Sequence, residues 1–157
     1  MSDPKFAEWV EPAAQRLEQS KREIEQVVEE IPADAWEQPS AYGGWSFKDQ
    51  LSHLGDSHGR VQSVLRAIVA GQDPDFSQFA RIDEINEEDR LNHIDTPVTV
   101  LRTSFVLRSD ETQNVLSELG AEHADFSLGP MTLEQALNGF AMHDAQHLEE
   151  LRKALQT

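Results

Sequence analysis

The chain has 157 residues, 38% apolar and 27% charged, which suffices for one globular domain over 1–157 and is unlike a disordered chain. No run approaches the ~18–20 apolar residues of a membrane span, and the absence of cysteine excludes disulfides and thiolate ligands. A formal net charge of -16, from 29 acidic against 13 basic residues, repels phosphate backbones and argues against nucleic acid as a partner.

The spacing of Phe6, Trp9, Val10, Ala13, Leu17, Ile24, Val27, Val28 and Ile31 predicts a first helix over Pro4 to Ile31. Pro12 removes an interior hydrogen bond, so it either kinks that helix or marks a second start. Pro32, and then Pro39 to Gly44, make the following turn. A second helix begins at Ser46, where Asp49 three residues on forms a variant of the capping box, and stops near Gly71. Its apolar stripe is Phe47, Leu51, Leu54, Val61, Leu65 and Ile68. Residues Gln72 to Pro97 interrupt the pattern, with one short acidic helix over Ile82 to Leu91. A connection of that length is usually functional or a covering loop.

A third long helix covers Val98 to Leu119, with Leu101, Phe105, Val115, Leu116 and Leu119 on a less regular stripe and Gly120 as its C-cap. Gly129-Pro130 precedes the fourth, from Met131 to Leu155, carried by Leu133, Leu137, Phe140, Leu148, Leu151 and Leu155. No segment alternates with period two. The fold class is all-α, and four helices of this length suggest a four-helix bundle with a long connection between helices two and three.

The fourth helix carries the most informative residues. His143 and His147 lie four apart, on neighbouring turns of one face, where two imidazoles can close on one divalent ion. They sit about 80° and 40° from the line through Leu133 and Leu151, at ~100° per residue, so they face a seam between helices. Spacing alone fits equally well two edge-of-core histidines bonded to carboxylates. A third ligand must come from His53, His58, His93 or His123. His58 falls on the apolar stripe of the second helix and His53 about 100° away, so periodicity slightly favours His58 as the inward residue. His93 and His123 occupy loop-like segments without a visible partner. Asp49, Asp144 and Glu150 stand where carboxylates could orient ligating histidines, although each is individually an ordinary surface acid. Trp9, Trp36 and Trp45 read as core or cap residues, Trp45 as a packing anchor.

Gly44-Trp-Ser-Phe-Lys-Asp-Gln-Leu-Ser-His53-Leu54 resembles the second-helix signature of the DinB-like (YfiT-like) superfamily, Trp-Ser followed by His-Leu. His143-Asp-Ala-Gln-His147-Leu148 resembles its last-helix signature, and Ile82-Asp-Glu-Ile-Asn86 a recurring middle segment. The resemblance covers nearly the whole chain in order. It implies an up-down-down-up four-helix bundle, often a homodimer, with a divalent metal held by His53, His143 and His147. The His-Leu pair at His53-Leu54 thus assigns the third ligand against the angular argument, and leaves His58 as a neighbour of the site or a core residue. Where many members carry a further His or Gln around the closing motif, this chain has Gln146 and Glu150.

Three imidazoles suit Zn, Ni, Fe or Cu, and the first three are the ions expected. Three protein ligands leave positions open for water or substrate, as in catalytic sites. Characterised members of the superfamily include transferases and isomerases that use bacillithiol, mycothiol or glutathione. The resemblance therefore implies a metal-dependent enzyme that activates a low-molecular-weight thiol for attack on an electrophilic small molecule. Whether the chain is an enzyme stays open at this point. A non-catalytic metal- or ligand-binding protein of stress response and a metal-dependent hydrolase are the alternatives. His-Asp-Ala-Gln-His also resembles the His-Glu-x-x-His of zinc proteases, but Asp144 is one carbon shorter than the glutamate base. The start, Met-Ser-Asp-Pro-Lys-Phe, lacks a basic stretch followed by an apolar one, so no signal peptide is expected and the cytoplasm is the expected location.

Overall fold

The structure is a computed structural model and describes residues 3–39 and 44–156; positions 40–43 of the turn expected between Pro39 and Gly44 lie outside the described residues. It is mostly helical, in the order α1 (Glu11–Glu30), α2 (Phe47–Val69), a 3-10 turn (Ser77–Arg81), α3 (Ile82–Asn92), α4 (Val98–Leu116), a 3-10 turn (Ala121–His123), β1 (Ser127–Leu128), β2 (Met131–Thr132) and α5 (Leu133–Leu155). Among the described residues no helix is long and apolar enough to cross a membrane.

The first helix begins at Glu11, not at Pro4. Pro12 sits in its first turn, where an N–H has no intrahelical partner to lose, so it starts the helix and does not kink it. α2 opens on the expected capping box: the Ser46 hydroxyl accepts from Asp49 N at 3.0 Å, and Ser46 N donates to the Asp49 carboxylate at 3.0 Å. It ends before Gly71, whose φ of 72° is the left-handed conformation glycine supplies. The third long helix stops at Leu116, three residues early. Gly120 is not its C-cap: it heads the following 3-10 turn, where its N–H donates to His123 Nδ1 at 2.9 Å. α5 begins two residues later than expected, because Met131 and Thr132 pair with Ser127 and Leu128 around Gly129, φ 63°. Thr132 and Gln135 form a second capping box there.

α2 packs along α4 and α1 along α5, while α1–α4 and α2–α5 contacts close a ring. The C-terminal ends of α1 and α5 share one apolar cluster with the starts of α2 and α4, including Ile24, Leu51, Phe105 and Leu151. The opposite ends share another, including Leu17, Leu65, Leu116 and Leu137. α2 and α4 therefore run in the same direction. The chain must return along the full length of α2, about 33 Å for its 23 residues at 1.5 Å each, before α4 can start. That return explains the long connection. No residue between Val69 and Leu101 is buried, so the connection lies on the helices without joining their core.

Between the two apolar clusters lies a buried polar layer. Ser20 of α1, His58 and Gln62 of α2, Ser109 and Thr112 of α4 and Asp144 of α5 are all buried. Ser109 and Thr112 are why the α4 stripe is irregular in sequence: polar residues occupy two of its inward positions.

Candidate metal centre

His53, in the second turn of α2, and His143 and His147 of α5 converge where the two helices meet. One nitrogen from each ring lies within 4.8 Å of the others, and among the described residues this is the single such cluster of potential metal ligands. His53 Nε2 is 3.1 Å from His143 Nε2. The rings are mutually tilted, with the His147 centroid 4.8 Å from that of His53 and 4.5 Å from that of His143. Trp45 stands edge-on against His53 at 5.2 Å, so it does more than anchor the helix start.

A divalent ion fits this donor set. Two nitrogens ~2.0–2.1 Å from one tetrahedral ion stand about 3.3 Å apart, close to the separation of the two Nε2 atoms. On the far side, His147 Nδ1 is 3.2 Å from Glu150 Oε2 and His143 Nδ1 is 3.5 Å from Asp144 Oδ1. Neither Nδ1 makes a hydrogen bond of good geometry, so each ring has its carboxylate beside it and its other edge free for a ligand.

Electrostatics favour neutral, metal-competent rings. Burial, then the neighbouring His147 and His143, push the pKa of His53 down to about 3. Burial and His143 likewise lower that of His147, against the opposing pull of Glu150. In the metal-free protein the unfolded chain binds the His53 proton near the ordinary 6.5 while the folded chain resists it. Stability is therefore lost as pH falls from 6.5 towards 3. Urea unfolding of the metal-free protein at pH 7 and pH 4.5 should show a larger loss for the wild type than for His53→Gln; equal losses would contradict the neutral ring.

The other histidines have separate tasks. His58 is fully buried. Its Nε2–H donates to Asp144 Oδ2 at 2.7 Å and its Nδ1 faces the Thr112 hydroxyl at 2.8 Å, which also accepts from Gln62 Nε2 at 2.9 Å. The angular argument for His58 was therefore right about burial, yet the ring points into the polar layer and not at the His143–His147 pair. Burial alone would raise the Asp144 pKa, but the neighbouring His143 and the hydrogen bond from His58 outweigh it and hold the carboxyl ionised. Enclosed and already engaged, Asp144 cannot serve as the general base of a protease. His93, without a visible partner in sequence, lies 3.2 Å from Asp56 Oδ1. Asp49 does not orient His53: its carboxylate caps α2. Trp36 is in the core, and Trp9 Nε1 donates to Gly120 O at 3.0 Å.

The three histidines stand in the wall of a cavity of about 1000 Å³ between α2 and α5, roofed by the connection and the β1–β2 hairpin. Sequence reasoning missed this cavity and the polar layer. Only the break in the α4 stripe signalled the layer.

The family model of the DinB superfamily matches residues 16–151, and the chain belongs to that superfamily. Comparison with curated proteins and with solved structures found no match.

Proposed function

We propose that this chain is a metal-dependent enzyme that activates a low-molecular-weight thiol for transfer to an electrophilic small molecule. The observation that carries the reading is the meeting of three imidazoles at the wall of a large cavity, with no fourth protein ligand among the described residues. Three nitrogen donors suit zinc, nickel or iron. A divalent ion held there would act as a Lewis acid and lower the pKa of a coordinated thiol or water. His53, His143 and His147 hold it. Glu150 and Asp144 fix the orientation of the two α5 rings, and Trp45 limits water on the His53 side. The chain has no cysteine, so any thiol comes from outside. The ring of four helices supports the up-down-down-up bundle of the superfamily, for which a homodimer is part of the same proposal.

The test begins with metal analysis of the purified protein. Consumption of a chloro-nitroaromatic or epoxide is then followed with bacillithiol, mycothiol and glutathione, with and without metal. Acceleration by the metal-loaded protein with one of these thiols is expected. The competing reading, a non-catalytic protein that binds metal or an organic ligand, draws on the same cavity and predicts no consumption with any of them.

Metal should also raise the melting temperature, since it binds the folded state. At a free concentration a hundredfold above Kd the stabilisation is about 2.7 kcal/mol, or roughly 5–10 °C for a chain of this size. A chelator should reverse that gain and leave the helices folded, because the two apolar clusters are complete without the ion. Complete unfolding by the chelator would make the centre structural.

A further inference from the structure

We infer that the cavity between α2 and α5 binds the apolar body of an elongated lipophilic molecule whose one polar end meets the three histidines. The inference rests on the reading above only for the role of that polar end. In that reading the lipophilic molecule is the electrophile.

The cavity has a polarity gradient along its length. The histidines and Trp45 form one end; Leu65 of α2, with Leu133 of α5, forms the other. From His53 to Leu65 is 12 residues of helix, about 18 Å. Between these ends the walls are largely aliphatic and aromatic, with Val64 contributed by α2, Phe140 by α5 and Phe76 by the roof. Arg60 is the one cation in the lining. Its NH1 donates to Asp89 at 2.5 Å and its NH2 to Asn86 at 2.9 Å, so its charge is already balanced and no anionic tail is called for. A sugar- or peptide-based thiol needs many partners for its hydroxyls and amides, and these walls offer few, Ser57, Asp83, Asn86 and Gln135 besides Arg60. It approaches from the side of His143, whose side chain is 34% exposed.

Two further observations indicate that the space is kept open for a ligand. The roof buries none of its residues, and Phe79, which lines the cavity, remains 43% exposed. An apolar roof over an apolar floor would ordinarily close and bury both. Gly139, in the middle of α5 and in the cavity wall, weakens the helix interior, yet a β-carbon there would meet no atom within 4 Å. Packing of the protein itself does not require glycine at that position. Glycine there keeps this stretch of the cavity wall clear for a ligand.

The test is calorimetric titration of the zinc-loaded protein with hexanoate, octanoate and decanoate below their micelle concentrations, using the carboxylate as the polar end. Affinity should rise roughly fourfold per added methylene, at one ligand per chain. Gly139→Trp projects an indole into the opening and Val64→Phe fills the distal wall. Each should weaken decanoate at least tenfold with bound zinc unchanged. Affinity independent of chain length, or variants that bind decanoate as tightly as the wild type, would overturn the inference. Decanoate binding by a protein that holds no metal would keep the cavity and remove the metal reading. Zinc binding and thiol turnover with a flat alkanoate series would do the reverse.

Discussion

Replacing His147 with alanine should strip the protein of its metal and abolish any metal-dependent turnover while leaving it folded. Among the described residues three imidazole nitrogens form the donor set at this centre, and two of them should not hold a labile ion through dialysis at neutral pH. The ring contributes little to the core, which at this level of α5 is supplied by Leu148 and Leu151. Melting of the metal-free variant should therefore stay close to that of the metal-free wild type. Glu150→Gln separates the ligand from its support. It leaves all three imidazoles in place and removes only the carboxylate 3.2 Å from His147 Nδ1. Loss of such a support costs about 10- to 100-fold in metal affinity, and so should be visible as weaker binding, not absent binding. Metal content by mass spectrometry after dialysis ranks the three proteins. A His147→Ala protein that retains one ion per chain would move the centre elsewhere.

Asp144→Ala should be the most destabilising single change in the polar layer. It leaves the His58 Nε2–H, fully buried and 2.7 Å from its acceptor in the wild type, with nothing to donate to. It also opens a void between the two apolar clusters. An unpaired buried polar partner costs about 1–3 kcal/mol, and a broken buried pair about 3–5 kcal/mol. A loss of about 3 kcal/mol corresponds to roughly 6–12 °C in a protein of this size. The measurement is thermal unfolding of the metal-free protein, so that loss of metal does not contribute. The double change His58→Leu with Asp144→Leu removes donor and acceptor together and should recover most of that loss. Asp144→Ala melting with the wild type would show that the pair carries no stability.

Elements whose signals are local were legible in the sequence. The Ser46–Asp49 cap and the short acidic helix after Ile82 follow from neighbouring residues and stand where the sequence puts them. The start of α1 was misplaced because Phe6, Trp9 and Val10 continue the apolar spacing without continuing the helix. They pack on the core from turns. The hairpin before α5 is too short to show alternation, but Thr132 and Gln135 carried a readable cap. At the centre, the pairing of His143 with His147 was written in their spacing. The choice of His53 over His58 was not, because both rings are buried and periodicity does not report which way a buried ring points. Family resemblance favoured His53, which the structure brings to the pair, while His58 answers to Asp144 across two helices. The cavity had no sequence signal, since its walls come from four separate segments.

The buried polar layer has a mechanical consequence. His58, Thr112 and Asp144 meet at one height on three different helices, and a slip of any of these helices by one turn would break at least one of the two bonds that His58 makes. The four long helices thus behave as a stiff frame locked at its midpoint. Parting α2 from α5 to admit a molecule would break that lock. Lifting the Gln72–Pro97 strap breaks contacts such as Arg60 with Asp89 and Asn86, and no residue of the strap itself is buried. The strap is thus the part of the cavity wall that gives most easily, while the frame that sets the geometry of the histidines stays fixed.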